Sequence, residues 1–280
     1  MRRRDRRLRG VLRAVSLQSA FTELARSGGR GALVTVVAVE GQRGDGAVRS
    51  RPGAKLLVRA DSDVAGTLGD RELDAAALAH AEELMWAERS ELREGPGGAR
   101  LFVDAVAPPP RLVIFGAVDF ARDLCGLART TGWRPYVVDP RTRFATRERF
   151  PEAEEVVAAW PEEAFARLGG IDRATFIAVL THDPKLDDAA LVIALASEAA
   201  YVGAMGSRRA QEARRERLLE AGVPAEQLGR IAAPIGLDLG GITGEETALS
   251  IMAEVVAVRN GHEGGRLSHA TRGRIHEVGA

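Results

Sequence analysis

The chain of 280 residues has a single cysteine, Cys125. No intrachain disulfide can form, which removes the disulfide-stapled secreted scaffolds and leads us to expect a cytoplasmic protein. Lysine is nearly as scarce. Of 39 basic residues only Lys55 and Lys185 are lysines, the rest being arginine. Such a bias usually follows the base composition of the genome. A surviving lysine then either marks a place that needs a compact ammonium or has survived by chance. Formal net charge is +0 at pH 7, so neither nucleic acid nor a membrane surface is an expected partner. No apolar run approaches the roughly 18 residues that a helix needs to span a bilayer. The basic opening MRRRDRRLRG lacks the apolar stretch of a signal peptide and reads as a loose start. Zinc-spaced Cys/His clusters, a Walker A loop and a G-x-S-x-G elbow are all missing, and no metal ligands are expected. His182 stands beside Asp183 without a partnered nucleophile, so the sequence names no catalytic residue. Cys125 falls among apolar neighbours and is expected to be a buried structural thiol.

The apolar pattern divides the chain. Residues 11–27 carry Val11, Val15, Phe21 and Leu24 near helical spacing, stopped by Gly28-Gly29. ALVTVVAVEG and AKLLVRA read as strands joined by the Gly- and Arg-rich loop GQRGDGAVRSRPG. A turn at Gly66 to Gly69, a helix over 72–89 and a short strand over 99–103 complete a small α+β domain, residues 1–104. AVAPPP, residues 105–110, reads as an extended linker, because consecutive prolines cannot join a central sheet. From 111 to 262 strand and helix signals alternate, predicting a Rossmann-like doubly wound parallel sheet. Its strand candidates are RLVIF, PYVVD, VVAAW, TFIAVL and YVGAM, with helices over 161–168 and 187–197. Ser207 opens a charged helix that stops near Gly222, and Thr243 with Glu246 forms a capping box for a last helix ending at Asn260-Gly261. Residues 263–280 read as a loose tail.

RLVIFGAVDFA, from Arg111, begins as a dinucleotide-binding fingerprint and then departs from it. Gly116 sits at the tight turn and Ala121 at the final small position, but Val118 occupies the place of the glycine that lets backbone approach a pyrophosphate. Four segments directly follow predicted strands, where ligands bind in open parallel sheets. They offer Gly116 and Ala117; Asp139 and Arg141; Thr181, His182, Asp183, Lys185 and Asp187; and Gly206, Ser207, Arg208 and Arg209. Asp139 lies where the fingerprint expects an acid for a ribose diol. GSRR places two guanidinium groups at a helix start, suited to a phosphate. Each residue also has an ordinary structural reading: a loop cap for Asp139, a local hydrogen bond for His182, a solvated face for Arg208 and Arg209.

GAVDFA, VVDPR, THDPKLDD, YVGAMGSRR and PIGLDLGGITGEETALSIMAE, in this order, resemble the xanthine dehydrogenase accessory protein family, XdhC/CoxI. VTVVAVEG, PGAKLLV and GTLG resemble its amino-terminal module. The resemblance implies an accessory factor that binds molybdenum cofactor, a pyranopterin with a phosphate tail, and inserts it into a molybdenum hydroxylase apo-enzyme of the xanthine or CO dehydrogenase type. It would act as a chaperone rather than a turnover enzyme. Lys185, Arg208 and Arg209 would then contact the anion and Asp139 and Asp187 would serve as polar acceptors. Lys55, in PGAK, would belong to a first domain that closes the crevice or meets the target. The chain departs from the family at GAGH, which here reads Gly116, Ala117, Val118, Asp119, and at GGGCLE, where Glu72 stands at the cysteine's place. Two other readings stay open: an NAD(P)-dependent oxidoreductase, disfavoured by Val118, and a degenerate paralogue that keeps only partner binding. The oligomeric state is open as well, a homodimer included.

Overall fold

A computed structural model describes residues 16–39 and 50–269. Most of the loop GQRGDGAVRSRPG, the helix positions Val11 and Val15 and the end of the expected tail lie outside them. The described residues fall into two compact units, the first reaching Pro108 and the second beginning at Pro109.

The first unit contains α1 (Leu17–Arg26), β1 (Gly31–Val39), β2 (Lys55–Arg59), β3 (Val64–Thr67), α2 (Arg71–Ala87), β4 (Glu91–Gly95) and β5 (Ala99–Val106). The strands form an antiparallel sheet in the order β3-β2-β1-β5-β4. Strand alternation puts Ala32, Val34 and Val36 on one face of β1, where they meet Leu73, Ala77, Ala81 and Leu84 of α2, spaced along one helical stripe. Leu33 and Leu57 point to the other face and are covered by Phe21 of α1. Asp70 caps α2 by accepting from Glu72 N and Leu73 N, and buried Arg30 closes its other end by donating to Met85 O at 2.8 Å and Glu88 at 2.9 Å. Three features differ from the sequence reading. Gly66 lies in β3 rather than in a turn, because Val64–Thr67 pairs with β2 along its whole length. β4 carries no apolar signal because it is an edge strand with Leu92 exposed. Ala105 and Val106, assigned to the linker, complete β5 by pairing with Ala32 and Gly31, which leaves 107–110 as the extended stretch.

The second unit contains β6 (Arg111–Phe115), α3 (Ala121–Thr130), β7 (Arg134–Val138), β8 (Glu155–Val157), α4 (Pro161–Arg167), β9 (Thr175–Val179), α5 (Pro184–Leu195), β10 (Tyr201–Ala204), α6 (Arg208–Glu220), β11 (Ile231–Ala232) and α7 (Gly244–Arg259). All neighbours in its sheet are parallel, in the order β11-β10-β9-β6-β7-β8. This is the doubly wound order, reversing direction between β6 and β9. Buried residues of α3 and α7 cover one face, and those of α4, α5 and α6 the other. β7, β9 and β10 are buried almost throughout, which is why they read as continuous apolar runs rather than alternating ones. The Thr243–Glu246 capping box forms as the sequence predicts. VVAAW contributes only a short strand, Glu155–Val157. Past residue 262 the chain is not wholly loose: Gly264 lies against Leu237, and Leu267–His269 form a 3-10 turn.

Ile251 of α7 is fully buried in the core shared with α3. Ile251→Ala leaves a cavity there and is expected to lower stability by about 2–5 kcal/mol. A reduced denaturation midpoint at unchanged slope in a urea titration would show it.

Candidate functional site

Register sets the carboxyl edge of the parallel sheet. Phe115 pairs with both Val138 and Val179, and Val179 pairs with Ala204. The strands therefore end level, and Gly116, Asp139, Leu180 and Met205 leave one edge together. All four segments singled out from the sequence start there. The other end of the sheet holds a groove of about 400 Å³ lined by Arg134, Tyr136, Glu154, Glu155, Arg167 and Leu168. Its arginines are matched by its acids, Arg134 with Glu154 and Arg167 with Glu155, so it offers no surplus charge.

Gly116 has φ of 116°, and a Cβ added to it would lie 2.6 Å from Thr181 Cγ2 and 3.1 Å from Thr181 N. The glycine is required by the contact between the loops after β6 and β9. Ala117 N donates to Asp139 Oδ2 at 2.9 Å. Val118 packs its side chain toward the α3 face, and Asp119 is exposed and paired with Arg149 at 2.9 Å. Arg149 also donates to Ala117 O at 3.0 Å and Phe144 O at 3.2 Å, so the first turn is braced by the chain itself.

Asp139 is fully buried, and its carboxylate accepts from Ala117 N, from Arg141 N at 2.9 Å, and from Arg141 Nε and Nη2 at 2.8 and 2.6 Å. Burial pushes this carboxyl up. The Arg141 side-chain bonds, the two backbone donors and the Arg141 charge together outweigh it and hold the group below its ordinary 3.8. The sequence offers Asp139 as an acceptor for a ligand, but its four protein donors already occupy it.

In the β9 loop, Thr181 is buried, its hydroxyl accepting from Asp183 N at 3.1 Å and donating to Asp187. Asp183 caps α5 by accepting from Lys185 N at 3.0 Å. His182 and Lys185 are exposed. Asp187, the second expected ligand acceptor, is buried beneath this loop and paired with buried Arg214 at 3.1 Å. Burial raises its carboxyl, with Thr181 and Arg214 pulling the other way. Arg214 also donates to Met205 O at 3.0 Å and to Gln211, whose amide in turn reaches Gly206 O at 3.1 Å. Asp187 thus ties α5 to α6 and to the turn after β10.

That turn ends at Ser207, which caps α6 by accepting from Ala210 N at 3.3 Å, while Arg208 and Arg209 stand exposed in the first helical turn. Lys55 lies in the first unit, on a sheet face with Thr35, and donates to its hydroxyl at 2.7 Å. Glu72, at the place of the family's cysteine, is an exposed residue in the first turn of α2. Cys125 is buried on α3 and burial pushes its thiol up to about 12. Among the described residues no group of three or more His, Cys, Asp or Glu could hold a metal ion. No helix among them is long and apolar enough to cross a membrane.

Sequence reasoning missed Arg149, Arg214 and Gln211, which brace this edge. Arg214 and Leu218, four apart, are the buried positions of α6, and that spacing is the one local signal that Arg214 faces inward. Beside the starts of α5 and α6 stand the exposed cations Lys185, Arg208 and Arg209, with exposed Asp183 among them. Such a set suits an anion. It contains no paired nucleophile and base.

Asp139→Asn is expected to lower stability by about 1.5–3 kcal/mol near neutral pH, the range for a hydrogen-bonded charge. Since the folded carboxyl titrates below its ordinary 3.8, its contribution is complete above that value and lost as pH falls through the depressed one. Urea titrations of wild type and variant should therefore differ near neutrality and converge in acid.

A model described as the XdhC Rossmann domain matches residues 112–255, and one described as the XdhC and CoxI family matches residues 24–94. Uncharacterized protein YqeB of Escherichia coli is 26% identical over 272 residues, covering 92% of this chain and 49% of its own. A probable xanthine dehydrogenase subunit of Bacillus subtilis is 30% identical over 159 residues, covering 57% of this chain and 46% of its own. The chain thus spans about half the length of these two relatives. The molybdenum cofactor insertion chaperone PaoD of Escherichia coli is 28% identical, with 85% of this chain and 87% of PaoD covered. The crystal structure of a xanthine dehydrogenase from Bacillus halodurans shares the fold, with a TM-score of 0.50, 19% identity, and 90% and 97% of the two chains covered. With its parallel unit and its antiparallel unit both matched, the chain belongs to the XdhC and CoxI family.

Proposed function

We propose that the protein is a maturation factor for a molybdenum hydroxylase. On this reading it holds molybdenum cofactor at the carboxyl edge of the parallel sheet and passes it to the apo-enzyme in the cytoplasm. The family membership and the name of PaoD support this direction. The observation that carries it is the charge arrangement of the edge. Asp139 and Asp187 are buried and neutralised by Arg141 and Arg214, while Lys185, Arg208 and Arg209 are exposed at two helix starts. Against the exposed acid of these loops, Asp183, three cations make the local surface favour an anion, as a phosphate-tailed pterin requires. Lys185 and the two arginines would hold the phosphate, with His182 and Ser207 within the same loops as further donors. When bound, the cofactor supplies its phosphate and the polar rim of the pterin for recognition. This chain's residues bind and orient it, and no side chain is assigned a bond-making step.

A nicotinamide dinucleotide suits this edge less well. The pyrophosphate turn carries Val118 and exposed Asp119, and the ribose acid is already fully hydrogen-bonded. We therefore do not assign oxidoreductase activity.

Protein purified from a cofactor-producing host is expected to carry pterin, read as fluorescence after oxidative release. The combined Lys185→Ala, Arg208→Ala, Arg209→Ala variant should bind at least about tenfold more weakly, since one charged contact is worth about 1.5–3 kcal/mol. Absence of pterin, with no binding when cofactor is added, would overturn the proposal, and saturable NADH binding with turnover would replace it by a dehydrogenase. Val118→Gly tests the first turn separately. Cofactor affinity should stay within about twofold of wild type, well under the 1.4 kcal/mol of a tenfold change, because the phosphate contacts are assigned to other loops. Tighter binding would move the phosphate back to Gly116.

A further inference from the structure

The loop that follows β7 carries a feature the cofactor reading does not use. Arg141, Arg143 and Arg149 gather around Phe144, their guanidinium carbons 4.8, 4.5 and 5.5 Å from the ring centroid. Each cation gains from the ring face, but three like charges around one ring repel each other. Two are neutralised nearby, Arg141 by buried Asp139, with the charge of exposed Asp183 also acting on it, and Arg149 by Asp119. Arg143 is exposed and has no ion pair among the described residues. Arg147 is turned away, donating to the carbonyls of Ala153 and Glu154. The cluster therefore presents one unbalanced guanidinium beside a second, Arg141, whose side chain is 47% exposed.

Its place in the fold gives this charge a meaning. In doubly wound sheets the loop after the second strand meets the ribose, through an acid for a free diol or an arginine for a phosphate carried on it. Here β7 is the second strand, its acid is consumed by Arg141, and guanidinium groups stand in front. We propose that Arg141, Arg143 and Arg149, assembled on Phe144, form a subsite for a phosphate monoester. It lies on the opposite side of the β6–β9 switch from Arg208 and Arg209, which follow β10. Planar guanidinium forks match the oxygen geometry of phosphate, and their flat faces also accept a stacked base. The assignment rests on this loop alone and does not depend on the cofactor reading.

Calorimetric titration of the full chain at low salt, with AMP and with inorganic phosphate as probes, tests it. Saturable AMP binding with Kd below about 1 mM is expected. Arg143→Gln should weaken it at least about tenfold, the loss of one charged contact. Arg143→Lys, which keeps the charge without the fork, should fall between, and added salt should weaken binding in every case. The Arg167→Gln variant, altered at the other end of the sheet, should match wild type. Inorganic phosphate binding as tightly as AMP would assign recognition to the phosphate alone, and weaker binding would add the nucleoside. Failure of both probes to bind, or an unchanged affinity in Arg143→Gln, overturns the subsite. Because Arg143 is exposed, an unchanged thermal midpoint in its variants makes any loss one of binding. Pterin content read on the same preparations separates failure here from failure of the cofactor reading.

Discussion

The parallel unit depends on a close approach of two loops at its switch point. Gly116 and Thr181 approach so closely that the position after β6 cannot carry a Cβ. Level strand ends follow from the pairing of Phe115 with Val138 and Val179, and the loops after β6, β7, β9 and β10 are brought to one edge. Such an edge buries polar groups, and each buried group must find a partner within the chain or from a ligand. Asp139 and Asp187 find theirs within it. One fastens the β7 loop to the turn after β6, the other fastens α5 to α6.

The result is a sorting of charge by depth. Two carboxylates, Asp139 and Asp187, lie inside, each matched to an arginine, and cations lie outside at the helix starts and on the β7 loop. In a dinucleotide-binding sheet the acid after the second strand is available to the ligand. Here it is part of the scaffold, and Arg141 is oriented by it. The same sorting makes a phosphate-bearing ligand the natural counterpart of the surface, because the exposed cations at the helix starts outnumber the exposed acid beside them, Asp183. Asp119, the one exposed acid on the first turn, is held by Arg149.

Much of the architecture is legible from local pattern. Buried parallel strands appear as short apolar runs, Thr243 and Glu246 announce a helix start, and the alternation after the prolines points to a doubly wound sheet. Elements at edges are harder to read. β4 has an exposed Leu92 and polar neighbours, and β3 contains Gly66, so both look like connection until pairing partners are known. The site was legible as a set of loops and much less as a set of roles. Asp139 and Asp187 look like ligand acceptors in sequence because nothing local reveals that Arg141 and Arg214 will consume them. Arg214 sits in a charged run that reads as solvated, and only its packing against α5 makes it a structural partner.

By itself the sequence determined the buried strands, the capped helices, the family motifs and the candidate loops, since periodicity, capping and turn chemistry act over a few residues. Only the tertiary structure decided which side chains on those loops are free. That outcome depends on burial and on partners distant in the chain, as with Asp187 and Arg214 or Asp119 and Arg149, and a buried charge is committed to whichever partner the fold brings to it.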